Sequence, residues 1–326
     1  MKFFKSVAIF AMSSCFLMSA SYGSQINITF PLHVAPKNAR TVMLKDYVDQ
    51  VSKFSGGRIK VTLYPGDQLY NTASGLRALT QGSVQMMEAP NGAYLAYDKI
   101  FNLIEIPFVF NNSQKYYNFL YGAPGEKILK SLEKSNMHGI TFADEGPMII
   151  ATKDRLLAIP SDFKGLVVRT SGHKLVEDSL RLLGASTTKM SLSEVYSAAQ
   201  QNVINAVYTT ISAYKAQHLY EVMPYVTLWP GRGAYVWVTS DKLWNSLDAY
   251  DKHTISTAAK QAALEYDYHA WHNKDKDIAE LSKKGVKYHE LTESELKTIH
   301  SKIMPLYNDL KKKFGSEIID SIVSGK

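Results

Sequence analysis

Cysteine is almost missing from this chain: Cys15 is the only one in 326 residues. It sits inside an apolar N-terminal stretch, "VAIFAMSSCFLMSA", so once that stretch is removed the chain has neither disulfides nor thiol chemistry. Catalytic signatures are missing as well. There is no Gly-x-Ser-x-Gly elbow, and Ser-x-x-Lys spacings such as Ser186 with Lys189 lack the Ser-Asp-Asn and Lys-Thr-Gly partners of a serine acyltransferase. No His-Glu-x-x-His occurs. His269 and His272 share a helix face, but in a charged helix two exposed histidines are the commoner reading, so no metal is expected. Neither Gly-x-Gly-x-x-Gly nor Gly-x-x-x-x-Gly-Lys-Ser/Thr is present, which removes the signals for dinucleotide binding and ATP hydrolysis, and no cofactor is expected. Basic residues are not interleaved with aromatics, so nucleic acid is not an expected partner.

An uncharged stretch lies at the N-terminus, from Ser6 to Gln25. Lys2 and Lys5 precede it, it turns polar from Ser19, and Ser21 and Gly23 stand at small-residue positions. This is the pattern of a secretory signal peptide cleaved after Gly23. Cys15 is followed by more apolar sequence rather than by a cleavage point, which argues against a lipidated cysteine. Export without disulfides fits a bacterial periplasm. Loss of Lys2 and Lys5 takes the formal charge from +7 to +5, a mild basicity that suits small anions.

Mature residues alternate between strand and helix signals. "QINITFPLHV" reads as a strand, Lys37 to Phe54 as a helix stopped by Gly56 and Gly57, and "RIKVTLY" as a strand stopped by Pro65 and Gly66. A helix near Ala73 to Thr80 and the strand "VQMMEA" complete the pattern of a parallel α/β unit. Strands "HGITFAD", "MIIAT" and Lys164 to Thr170 follow, then a helix from Leu175 to Leu183. Ser191 and Glu194 form a capping box that opens the helix in "SLSEVYSAAQQN". The strand "VINAVY", a helix near Ser212 to Tyr220, and the strands "YVTLWP" and "AYVWVT" make a second α/β unit. Asp251 to Lys284 has no proline or glycine and predicts one or two long helices, and helical signal resumes from Thr292 to Gly315. Two such units joined without a linker predict two lobes with a cleft.

Within "FKGLVVRTSG" an apolar strand ends on Arg169, which is either a solvated strand end or a guanidinium waiting for an anion. "GGRIKVTLYPGDQL", "LRALTQGSVQMMEAP", "IPFVF", "IPSDFKGLVVRT", "LLGASTTKMSLSEVYSAAQQNVINAVYT" and "LYEVMPYVTL" occur in order across most of the mature chain. Together they resemble the solute-binding subunits of tripartite ATP-independent periplasmic (TRAP) transporters, the DctP-like family.

The resemblance implies an α/β, two-lobed periplasmic binding protein fold, each lobe a mixed sheet flanked by helices, with a long helix spanning both. Residues 24–147 plus about 236–275 would form the first lobe, and 148–235 plus about 276–326 the second. It implies a receptor, not an enzyme, that closes on a small organic anion, usually a carboxylate. The receptor would hand that anion to a small and a large integral membrane subunit; a monomer is expected. It also implies that Arg169 anchors the ligand.

Other expected contacts rest on position. Asn91 and Tyr94 follow the strand in "EAPNGAY" and would either reach the cleft or serve the loop and core. Tyr208 and Thr209 occupy the family's contact positions, although Asn205 and Ala206 replace the usual Asp-Gly. In "ADEGPM", Pro147 and Met148 stand where the sugar-acid branch carries a second arginine, which argues against a sialic-acid-type ligand. Glu145 there is a candidate acceptor for a ligand hydroxyl or amine. Gln68 and His33 could line the cleft or face solvent. Trp229, Tyr235, Trp237 and Tyr208 are either lobe packing or an apolar wall against the ligand. Arg232 in "WPGRGAY" is a second anion contact or a solvated loop arginine.

Overall fold

The computed structural model describes residues 24–324 apart from Lys37 and Asn111; the expected signal peptide at residues 1–23 lies outside the described residues. The chain opens with β1 (Ile26–Pro31), α1 (Ala39–Phe54), β2 (Ile59–Tyr64), α2 (Thr72–Thr80) and β3 (Met86–Pro90). Two short 3-10 segments over Asn91–Ala96 and Lys99–Glu105 lead to α3 (Ser113–Leu120), α4 (Ala123–Lys130) and β4 (Met137–Asp144). A second set follows: β5 (Met148–Thr152), β6 (Val167–Thr170), α5 (Lys174–Leu182), β7 (Ser186–Lys189), α6 (Val195–Gln200), β8 (Ala206–Thr210), α7 (Ile211–Ala216) and β9 (Tyr225–Leu228). The chain then returns through β10 (Ala234–Ser240), α8 (Asp241–Ser246) and α9 (Ala249–His272). It ends with α10 (Lys274–Lys283), β11 (Lys287–Glu290), α11 (Glu293–Phe314) and α12 (Ser316–Ser324).

In the first lobe β1 and β2 pair in parallel, as the strand–helix–strand pattern predicts. The third strand departs from that pattern. β3 pairs with β10, antiparallel, and β10 pairs on its other side with β4, giving the order β3-β10-β4. Alternation identifies "AYVWVT" as a strand but not the sheet it joins; the chain carries it across to the first lobe. The second lobe is one mixed sheet of order β11-β9-β5-β8-β6-β7. Its outer strand β7 is "STTK", a polar strand with exposed ends that carries no apolar alternation to betray it.

Between β10 and the C-terminus the chain crosses the lobes again. α9 starts at Asp248, whose side chain accepts from the Asp251 backbone N–H at 2.7 Å. It buries Ile255, Ala258, Ala259, Ala262 and Tyr266, the 3–4 spacing of one helix face, against the first lobe. The chain breaks step at Asn273, and α10 packs on α7 of the second lobe, where Lys215 Nζ lies 2.6 Å from Asp277 Oδ1. α11 lies along α5, and α12 turns back. Ile319 enters the first-lobe core and Lys115 Nζ donates to the Val323 carbonyl at 2.6 Å, so the last helix sits on the first lobe rather than the second.

The lobes touch. Gly92 and Gly172 approach so closely that a β-carbon on Gly92 would lie 2.6 Å from the Gly172 carbonyl oxygen, and Leu175 of α5 packs into the first-lobe core.

Candidate functional site

A cavity of about 1060 Å³ runs between the lobes, walled by His33, Tyr70 and Tyr235 from the first and by Arg169, Met190 and Thr209 from the second. Strand alternation brings Arg169 there. Val168 is turned into the second-lobe core, so its neighbour on β6 faces the other way. The guanidinium is 4% exposed, and its Nε and Nη2 both donate to the Met190 carbonyl, at 3.0 and 2.8 Å. That clamp orients the fork without neutralising it. Among the described residues no carboxylate oxygen comes within 4.0 Å of Arg169. Burial draws its pKa down to about 10, with Tyr235, Glu145 and Glu194 opposing, so it remains a cation at neutral pH.

The other buried arginines are paired. Arg40 donates from Nε and Nη2 to the two Glu88 oxygens, at 3.0 and 2.5 Å, and lies 3.5 Å from the centroid of the Tyr235 ring. Arg232 is neither a solvated loop arginine nor a cavity contact: it is buried with Nη1 2.5 Å from Asp144 Oδ2. Trp271 Nε1 donates to that same oxygen at 2.8 Å. This cluster ties together the segments where the chain crosses between lobes.

A second group of charges spans the boundary. His173, at the start of α5, has Nδ1 2.7 Å from Glu105 Oε2 of the first lobe, and both are buried. Its Nε2 lies 3.9 Å from Glu145 Oε2. Burial opposes charge on His173, but Glu105 and then Glu145 outweigh it and push its pKa up to about 9. Glu145 itself is 5% exposed, lines the cavity, and leaves Oε1 without a partner; burial raises its pKa, offset in part by His173 and Arg40. His33 also faces the cavity, stacked on Tyr235 at 5.6 Å, and burial lowers its pKa to about 4, so it is neutral.

Of the residues singled out in the sequence, Arg169, Thr209, Glu145, His33 and Tyr235 thus line the cavity. The others do not. Tyr94 is wholly buried in the first-lobe core, and its hydroxyl donates to the Val236 carbonyl at 2.9 Å. Asn91 is turned inward: its side-chain oxygen accepts from the Ala234 N–H and its amide donates to Glu105. Trp237 packs edge-on against Phe30 and Tyr47 in the first-lobe core. Gln68 is exposed beside the cavity, whose wall is made by its neighbours Asp67 and Leu69. Tyr208 lies behind the wall, its ring edge-on to His173, and Trp229 joins the second-lobe core. Among the described residues no group of histidine, cysteine and acidic side chains is placed to hold a metal.

The sequence matches the DctP family, bacterial extracellular solute-binding protein family 7, over residues 33–313. The chain belongs to this family. It is 27% identical over 301 residues to the C4-dicarboxylate-binding periplasmic protein DctP of Rhodobacter capsulatus, covering 91% of this chain and 90% of that one. It is 24% identical to the C4-dicarboxylate-binding protein DctB of Bacillus subtilis, covering 92% of this chain and 86% of the relative. Among solved structures, a TRAP periplasmic solute-binding protein from Sulfurospirillum deleyianum with bound succinate superposes with a TM-score of 0.85 at 21% identity, over 93% of this chain and all of that one. The sugar-acid-binding protein DctPAm of Advenella mimigardefordensis, in complex with galactonate, gives 0.86 at 22% identity, over 93% of this chain and 98% of that one. The fold is that of the two-lobed TRAP solute-binding proteins.

This DctP-family chain also brings residues to its cavity that the sequence reading passed over. Asp67 sits at φ 59° in the "PGDQ" turn and leaves Oδ1 unpartnered, and Met190 to Glu194 form a continuous stretch of wall. An aspartate after a Pro-Gly stop was the available signal for the first; the capping box at Ser191, read only as a helix start, was the signal for the second.

Proposed function

We propose that this chain is the extracytoplasmic solute receptor of a TRAP transporter, binding a small organic anion between its lobes and delivering it to the transporter's membrane subunits. Arg169 carries this reading. A guanidinium held by one carbonyl, buried, and without a counter-ion is a costly arrangement unless an anion completes it. A carboxylate matches its fork, and in a cavity closed to water the pair gains what water would otherwise screen. Relatives named as binding C4-dicarboxylates, and solved neighbours with succinate or galactonate bound, support an organic acid as the cargo.

In this reading the anion meets Arg169 on the second lobe of the open form, and closure brings His33 and Tyr235 of the first lobe against it. Occupancy drives closure only because the closed form binds the anion more tightly. The receptor acts as a monomer in the periplasm after removal of residues 1–23, and leaves its cargo chemically unchanged. Titration calorimetry against a panel of organic acids tests the proposal. Binding should be tight for at least one acid in the wild type and much weaker in Arg169→Lys; equal affinity in the two proteins would overturn the anchor.

A further inference from the structure

Among the described residues every buried ionised group outside the cavity is answered within the protein. Arg40 meets Glu88, Arg232 meets Asp144, and Asp251 meets Arg58. Asp267 accepts from the Tyr121 hydroxyl at 2.9 Å and the Asp144 N–H at 2.8 Å, away from the cavity, and burial keeps its pKa well above the usual carboxylate range. On the cavity side one imidazolium stands between two carboxylates. His173 gives its hydrogen bond to Glu105 at 2.7 Å and lies 3.9 Å from Glu145, too far for a second. After this matching the Arg169 guanidinium and the Glu145 carboxyl are left over among the described residues, both more than nine-tenths buried and both on the cavity wall, where the only other unpartnered carboxyl, Asp67, is partly exposed.

From this imbalance we infer that the cargo is a monocarboxylate carrying a hydrogen-bond donor, a hydroxy acid or an amino acid, and not a dicarboxylate. The inference rests on the receptor reading above and narrows it. The carboxylate completes Arg169. Glu145 Oε1, unpartnered and acceptor-only when ionised, calls for an N–H or O–H on the same ligand. An ammonium would also cancel the remaining charge. A second carboxylate offers Glu145 only like charge in a water-poor site, and one of the two would have to take up a proton. Among the described residues no other buried cation lacks a counter-ion. Arg40 and His173 each keep one unpartnered N–H but are ion-paired with Glu88 and Glu105 and lie outside the cavity lining, His33 is neutral, and Arg77 and Lys189, which also border the cavity, are exposed at its rim. The discrimination lies in Glu145, at a position where a neutral side chain would admit both classes.

Calorimetry with a four-carbon series on the mature protein tests this: butyrate, its 2-, 3- and 4-hydroxy and amino derivatives, and succinate. At least one donor-bearing derivative should bind ten times or more tighter than both butyrate and succinate. Glu145→Gln should shrink the advantage over succinate at least tenfold. An amino derivative as the tightest ligand would support charge balance at Glu145, and a hydroxy derivative would support a neutral donor there. Succinate or plain butyrate binding as tightly as every derivative overturns the inference and leaves the receptor reading standing, and the wild-type series alone can deliver that result should the variant not fold. Failure of every carboxylate to bind, in this series and the wider panel, overturns both.

Discussion

His173 Nδ1 and Glu105 Oε2 meet at 2.7 Å across the boundary between the lobes, the first from the segment after β6 and the second from the 3-10 turn before α3, and neither is open to solvent. Glu105 is itself held by the Asn91 side-chain amide at 3.1 Å and the Leu175 N–H at 3.3 Å. The pair exists only while the lobes are together.

Closure should therefore take up a proton. In an open form His173 would titrate near its ordinary 6.5, whereas in this form its pKa is about 9. A raised pKa of this sign contributes stability that is complete below 6.5 and is lost as pH rises through about 9. Glu105, Glu145, Arg169 and the Tyr208 ring are the groups that face it. Ligand affinity should fall by as much as about tenfold per pH unit between these values, since each unit of linkage is ~1.4 kcal/mol per proton. Calorimetry in buffers of different ionisation enthalpy will read the proton directly. Glu105→Gln should flatten the profile, and an unchanged profile would remove His173 from the closure step.

Arg169 can be separated into charge and shape. Arg169→Lys keeps the charge but loses the fork, and should weaken cargo binding about 10- to 100-fold, the ~1.5–3 kcal/mol of a charge-assisted hydrogen bond. Arg169→Met loses both and should abolish measurable binding. Thermal unfolding of the ligand-free variants should show no loss beyond about 1 kcal/mol, because the native partner of this side chain is a single carbonyl rather than an ion.

The Arg40–Glu88 pair makes the opposite forecast. Glu88→Ala leaves a buried guanidinium with no counter-ion and should cost about 3–5 kcal/mol. Replacing both, Arg40→Met with Glu88→Leu, should recover most of that loss. Urea denaturation of the two variants gives the comparison, and equal destabilisation in both would show that the charges are not what matters there.

Trp237 distinguishes packing from recognition. It is wholly buried between Phe30 and Tyr47. Trp237→Ala should lower stability by about 3–5 kcal/mol through the cavity it leaves. Trp237→Phe should fold and keep cargo affinity within about twofold, because nothing of the indole reaches the cavity wall; a tenfold affinity loss without a stability loss would reverse that assignment.

The parts of the fold legible in the sequence are those where periodicity is clean. "RIKVTLY" alternates and is β2; the proline- and glycine-free stretch after Asp251 is α9 and α10. α3 and α4 went unread because they are eight residues each, and α4 carries Pro124 and Gly125, residues that ordinarily mark loops. The Ser191 capping box is real but caps a 3-10 turn ahead of α6 rather than the helix itself. The site was legible where chemistry contradicts surroundings, as with an arginine closing an apolar strand. It was illegible where chemistry agrees with them. Tyr94 and Trp237 are aromatic residues on or after buried strands, and which face of a sheet looks into a cleft is settled by how two lobes dock, which no local pattern carries.

The tight approach of Gly92 to the Gly172 carbonyl turns one missing methyl group into a doorstop position. Gly92 has no unusual backbone angle to protect, so alanine there is refused only by the facing half of the molecule. Such a substitution would wedge the jaws apart while leaving each jaw intact. It would give a permanently gaping receptor with which to ask whether the proposed membrane partner recognises a shut mouth or merely its contents.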